Sequence, residues 1–177
     1  MDSIRSSYAV AKQASELICK SFASEYGVDM VIVCLGHVFG PTASKNDKRI
    51  SSDFAFKAAS GIPLEMKSSG SQKRSYCYSI DAAAAILVVL LKGEIGEAYN
   101  ICIKETMTIK EMAEIYAEAG NVSRSYVEPT KKEVNALNPM NNSSLSFDKL
   151  SKTGFRAQFT VEEGLKHTVR ILHEISV

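Results

Sequence analysis

The chain has 177 residues, 45% hydrophobic and 23% charged, with a formal net charge of +1. This is an ordinary globular composition, long enough for one domain with its own core. The near-neutral balance argues against nucleic acid as a bulk electrostatic partner.

Four cysteines, Cys19, Cys34, Cys77 and Cys102, sit in apolar or strand-like sequence and form no CxxC. The three histidines, His37, His167 and His173, make no HxxxH or HExxH. Buried reduced thiols are therefore expected, with neither a disulfide framework nor a metal site. The first residues carry no signal-peptide core, and the longest apolar run, residues 82–91, is too short to span a bilayer. A cytoplasmic protein without membrane partners is the expectation.

In chain order, apolar residues Val10, Ala14, Leu17, Ile18 and Phe22 recur at helical spacing over residues 8–26, and Gly27 supplies the stop. Residues 28–35 are almost unbroken apolar and rich in β-branched side chains, which predicts a strand buried on both faces, as in a helix-covered parallel sheet. Residues 36–50 read as a long loop at that strand's C-terminal end, where open α/β sheets place ligands. Ser51, Ser52 and Asp53 can cap a helix through residue 60.

Strands are expected at 64–67 and 75–78 around the turn 68–71. Asp81 opens a helix to Lys92 that is apolar nearly all round, hence buried on most sides. A strand at 98–103 follows. Thr108 and Glu111 form a capping-box pattern for a helix ending at Gly120. A short strand near 125–128, an irregular connection at 129–145 and a short helix at 147–152 come next. The last helix is capped by Thr160 and Glu163. This alternation predicts an α/β protein.

Tyr8 and Lys12 stand four apart on one helix, and so share a face. A phenol is a poor base at neutral pH, but an ammonium one turn away favours the phenolate. Such a pair can take a proton from a hydroxyl as hydride leaves its carbon. The spacing alone equally describes a surface lysine lying over a half-buried tyrosine.

The wider context carries a resemblance. Tyr8-Ala9-Val10-Ala11-Lys12 with Glu16 resembles the SxYxxxKxxxE helix of the NAD-dependent epimerase/dehydratase family, the extended short-chain dehydrogenase/reductases that modify sugar nucleotides. Cys34-Leu35-Gly36-His37-Val38-Phe39-Gly40-Pro41 is similar to its RxxNVYGP segment. Residues 70–81 resemble its GxxxRxxxYVxD, with Arg74 as the arginine. Gly96 to Ile101 resembles GExYNIG, and Thr153-Gly154-Phe155 with Glu163-Gly164-Leu165 the closing LGW and EGL.

The resemblance implies an NAD cofactor, with Tyr8 as catalytic acid/base and Lys12 holding the nicotinamide ribose. Leu35 and Val38 would border the nicotinamide. His37, where the family has Asn, and Arg74 would meet a UDP- or dTDP-sugar, Arg74 through its diphosphate. Glu16 would be a helix-face partner of Lys12 or Lys20, and Asp81 a helix cap. Cys34 stands where the family has Arg, and only Asn and Ser surround position 142, where it often has another arginine.

The fold implied is a partial NAD(P)-binding Rossmann fold whose N-terminal βαβ units are absent, plus the small mixed α/β substrate-binding region. Residues 1–41 would be the Rossmann remnant. Residues 42–177 would be mainly substrate region, with one returning Rossmann-type strand near 98–103. The ten glycines form no GxGxxG or GxxGxxG. The reading is therefore the C-terminal portion of an epimerase or dehydratase, an isomerase or lyase inactive alone. It would self-associate through the 8–26 helix or an exposed sheet edge. A non-catalytic nucleotide-sugar-binding module and an orphan truncated fragment are the alternatives.

Overall fold

A computed structural model describes residues 4–130 and 141–175, with side chains from Ser7 onward. It opens with helix α1 (Ile4–Tyr26) and strands β1 (Ile32–Leu35) and β2 (His37–Phe39), followed by α2 (Ile50–Ala59) and β3 (Leu64–Met66). Strands β4 (Lys73–Arg74) and β5 (Tyr76–Tyr78) lead into α3 (Ser79–Lys92), β6 (Ala98–Ile101), β7 (Met107–Thr108) and α4 (Ile109–Gly120). Strands β8 (Arg124–Tyr126) and β9 (Asn142–Ser143), then α5 (Asp148–Lys152) and α6 (Val161–Ile175), complete it. Of the irregular connection expected at 129–145, residues 131–140, including Pro139, lie outside the described residues.

The chain is α/β, built on small and mainly parallel pairings. Strand β1 pairs with β6, β2 with β5 and β3 with β8, all parallel. Strand β4 lies between antiparallel β7 and parallel β9. The core lies where α2, α4 and α6 meet the β5 region. Phe54, Leu64, Tyr78, Met112, Tyr116, Leu165 and Val169 are among the side chains buried there. Gly120 lets α4 touch α2 closely, because a Cβ there would stand 2.4 Å from the Ala58 carbonyl oxygen.

Both expected capping boxes are present. Thr108 Oγ1 accepts from the Glu111 amide while the Glu111 carboxylate accepts from the Thr108 amide. Thr160 and Glu163 exchange the same two bonds.

Several expectations need correction. The loop expected at 36–50 contains strand β2, because the segment 73–78 offers His37–Phe39 a parallel ladder. The N-cap of α2 is Arg49, without a side-chain cap bond, and Ser51 and Ser52 are buried within the helix. Asp47 does the local work instead, accepting from the Arg49 amide at 3.0 Å and the Ser52 hydroxyl at 2.8 Å. Helix α3 buries only a narrow stripe of Asp81, Ala82, Ala85 and Val89, while Leu87, Leu90 and Leu91 are exposed.

Nor is β1 buried on both faces: Ile32 to Cys34 are half-buried and Leu35 is exposed. Its described sheet neighbour is β6 alone, so one edge carries no strand among the described residues. The cysteines also differ from expectation. Cys77 and Cys102 are buried, Cys34 is half-buried and Cys19 is exposed.

Candidate functional site

Helix α1 turns one face towards β1. Tyr8, Lys12, Ser15, Glu16 and Cys19, spaced at successive helical turns, share a cleft of about 390 Å³ with Ile32, Val33, Cys34 and Leu35. The Lys12 ammonium lies 5.6 Å from the Tyr8 ring centroid. The Cys34 thiol donates to Glu16 Oε1 at 3.5 Å. Burial, and then the Glu16 carboxylate, push that thiol above its usual range. Glu16 therefore meets the strand, and no ion pair joins it to Lys12 or Lys20 among the described residues. The recurrence of 8, 12, 15, 16 and 19 on one face was readable in the sequence; that Cys34 lay opposite it was not.

A second cluster forms where β2, β4 and β5 meet. His37 lies opposite Tyr76 in the parallel register, donates its amide to the Ser75 carbonyl at 3.0 Å, and sets its ring edge-on to Tyr76 at 5.7 Å. Arg74 is only 5% exposed, so it is no plain surface charge. One of its nitrogens donates to the Lys73 carbonyl at 2.8 Å. His37 is exposed at its surface, but partial desolvation of its ring, aided by the Arg74 and Arg49 charges, holds the imidazole below its ordinary pKa. Burial pushes the Tyr76 phenol up to about 12.

Tyr8, Lys12 and Leu35 thus share one cleft, while His37 and Arg74 belong to the neighbouring cluster. Val38 is half-buried against the core rather than lining the cleft. Asp81 does not cap its own helix. It is 1% exposed, and its two oxygens accept from the amides of Gln158 at 2.8 Å and Phe159 at 3.1 Å. Among the described residues no group of three or more His, Cys, Asp or Glu could hold a metal ion. No described helix is long and apolar enough to cross a membrane.

The cleft sets the polar ends of Tyr8 and Lys12, both able to donate hydrogen bonds, against an apolar wall of Ile32, Val33 and Leu35.

The chain is similar to several known proteins. The chain is 31% identical over 164 residues to a trifunctional UDP-glucose 4,6-dehydratase/UDP-4-keto-6-deoxy-D-glucose 3,5-epimerase/UDP-4-keto-L-rhamnose-reductase of Arabidopsis thaliana, covering 92% of this chain and 24% of that one. It is 28% identical to human dTDP-D-glucose 4,6-dehydratase, covering 94% of this chain and 48% of that one. The solved UDP-glucose 4-epimerase of Thermus thermophilus, in complex with NAD, matches with a TM-score of 0.78 and 25% identity over 96% of this chain and 54% of that chain. The Thermotoga maritima UDP-glucose 4-epimerase, solved with UDP-glucose, matches with a TM-score of 0.84 at 24% identity, over the same shares. The chain therefore spans between a quarter and about half of the length of these relatives. The sequence profile of the NAD dependent epimerase/dehydratase family matches residues 2–102, which include both clusters, and the chain belongs to that family.

Proposed function

We propose that these 177 residues form the catalytic-helix and substrate portion of an NAD-dependent sugar-nucleotide epimerase or dehydratase. The observation that carries the proposal is the cleft that brings Tyr8 and Lys12 together over β1, inside the family match. The Tyr8 hydroxyl takes the proton of a sugar hydroxyl, and Lys12 holds the cofactor's ribose hydroxyls and steadies the phenolate. Leu35, at the cleft wall, borders the nicotinamide end. Bound NAD+ supplies the hydride acceptor. Arg74 meets the diphosphate of a UDP- or dTDP-sugar, a task a guanidinium suits, and His37 meets the same sugar nucleotide.

The dinucleotide's pyrophosphate has no corresponding anchor in these residues. That anchor is a glycine-rich turn at a helix N-terminus, and no GxGxxG occurs in the sequence. On this account the chain alone binds sugar nucleotide but does not turn it over. Calorimetric titration with UDP-glucose and dTDP-glucose should give binding in the micromolar to millimolar range, with no heat from NAD+. Tight NAD+ binding, or silence with both sugar nucleotides, would contradict the proposal.

The chain should also self-associate. Val10, Leu17, Ile18 and Phe22 on α1 are 48–67% exposed, and one edge of β1 carries no strand among the described residues, a surface prone to pairing. Exposed apolar surface of this kind marks an interface. Sedimentation should show a dimer or larger species at micromolar concentration, dissociated by Leu17→Glu with Ile18→Glu. A compact wild-type monomer in dilute solution would count against this expectation.

A further inference from the structure

Glu16 lies one helical turn after Lys12 and one turn before Lys20 on α1, so its carboxylate has an ammonium within reach on either side. It takes neither. Among the described residues Glu16 joins no ion pair, and its Oε1 accepts instead from the Cys34 thiol of β1 at 3.5 Å.

The strand explains why a thiol stands there. Alternation along 31–34 turns neighbouring side chains to opposite faces. Val31 and Val33 pack against the core, and Cys34 turns the other way, towards α1. Cys34 and Glu16 both line the cleft that holds Tyr8 and Lys12. Burial and the Glu16 carboxylate push the thiol above its usual range, so at neutral pH it is an S–H donor and not a second anion. With Glu16 turned to the strand, the Lys12 ammonium stands 5.6 Å from the Tyr8 ring centroid, within cation–π range.

We propose that Cys34 is a positioning residue: by holding the Glu16 carboxylate against β1, its thiol keeps that carboxylate from Lys12 and so keeps Lys12 over Tyr8. The inference rests on the functional reading of the Tyr8–Lys12 pair above and adds a residue that acts through Glu16 and Lys12. What matters at position 34 is a hydrogen-bond donor. Without one, Glu16 turns back along α1 and divides between Lys20 and Lys12. The Lys20 pairing is the better, because a glutamate preceding its lysine by four is the favoured order. Lys12 therefore loses part of its time over Tyr8, not all of it.

The NMR resonance of the Lys12 ε-methylene in the whole chain reads this, because protons over an aromatic ring shift upfield. Tyr8→Leu supplies the unshifted position. Cys34→Ala should move the resonance part of the way from its wild-type position towards that of Tyr8→Leu. Cys34→Ser keeps a donor and should stay at the wild-type position. Cys34→Ala combined with Glu16→Gln should return there too, because the amide carries no charge to draw Lys12 away. An unmoved resonance in Cys34→Ala overturns the inference. So does a displacement that persists in the double variant, which would assign Cys34 a packing role only. A displaced Cys34→Ser resonance overturns the hydrogen bond as the cause. Equal positions in wild type and Tyr8→Leu overturn the Tyr8–Lys12 pairing, and the functional reading with it.

Turnover in the presence of a separately produced amino-terminal βαβ half of a relative should follow Lys12. The KM for NAD+ should rise roughly 1.5- to 2-fold in Cys34→Ala and return in the double variant. An unchanged KM beside a moved resonance overturns the link to catalysis. Silence of that mixture contradicts the functional reading, and the resonances alone then decide the positioning.

Discussion

Replacing Asp81 with alanine should lower the melting temperature by roughly 10 °C. The carboxylate is 1% exposed and accepts from two backbone amides, Gln158 at 2.8 Å and Phe159 at 3.1 Å. Hydrogen bonds to a charged acceptor contribute about 1.5–3 kcal/mol each, and these two are not independent, so a loss of about 3 kcal/mol is expected. For a chain of this size each kcal/mol moves the midpoint by roughly 2–4 °C.

The bonds matter because they fix the approach to α6. Phe159 stacks on His167 with its ring centroid 5.7 Å away and meets Tyr78 edge-on at 5.0 Å. Those contacts lead into Val161, Leu165 and Val169, which close the core. Asp81→Asn keeps one acceptor oxygen and should lose about half as much. A melt followed by circular dichroism, with urea midpoints as a second measure, checks the series. An unchanged midpoint for Asp81→Ala would show that the two amides find other partners at no cost.

This aspartate also shows what a sequence hides. Its position at the start of a helical run suggested a local cap, since local side-chain bonding is the commonest use of aspartate there. Its actual partners lie 77 and 78 residues away, a distance no local pattern encodes. The capping boxes at Thr108 and Thr160 were legible because both halves of each lie within four residues. Strand β2 was not, because its three residues look like loop until segment 73–78 supplies the ladder. The apolar composition of α3 was clear, but composition does not reveal which side has a neighbour. Its small residues Ala82 and Ala85 face the strands, and Leu87, Leu90 and Leu91 are exposed.

The candidate site was legible in unequal parts. Tyr8 and Lys12 share a face by helical geometry alone, so their meeting in one cleft followed from spacing. The pairing of Glu16 with Cys34 required the packing of α1 over β1. The deep burial of Arg74 required β4 to lie between two other strands, and a two-residue strand leaves no periodicity to read.

The largest effect expected of any single substitution is on turnover through Tyr8. It is measured by supplying a glycine-rich nucleotide anchor, since no GxGxxG occurs in these residues. This chain is mixed with a separately produced amino-terminal βαβ half, the part of a relative that precedes its Tyr-x-x-x-Lys helix, and NAD+ and UDP-glucose are added. The proposed function gives Tyr8 the acid/base role, and general acid–base catalysis contributes roughly 10²–10⁴-fold. Tyr8→Phe removes the hydroxyl while leaving the ring, which is 70% exposed, where it stands, so folding should be unaffected. The account predicts that each half is silent alone, that the mixture converts the sugar nucleotide, and that Tyr8→Phe lowers the rate by at least about 10². Conversion by the mixture at an unchanged rate with Tyr8→Phe, or conversion by this chain without the added half, would contradict it.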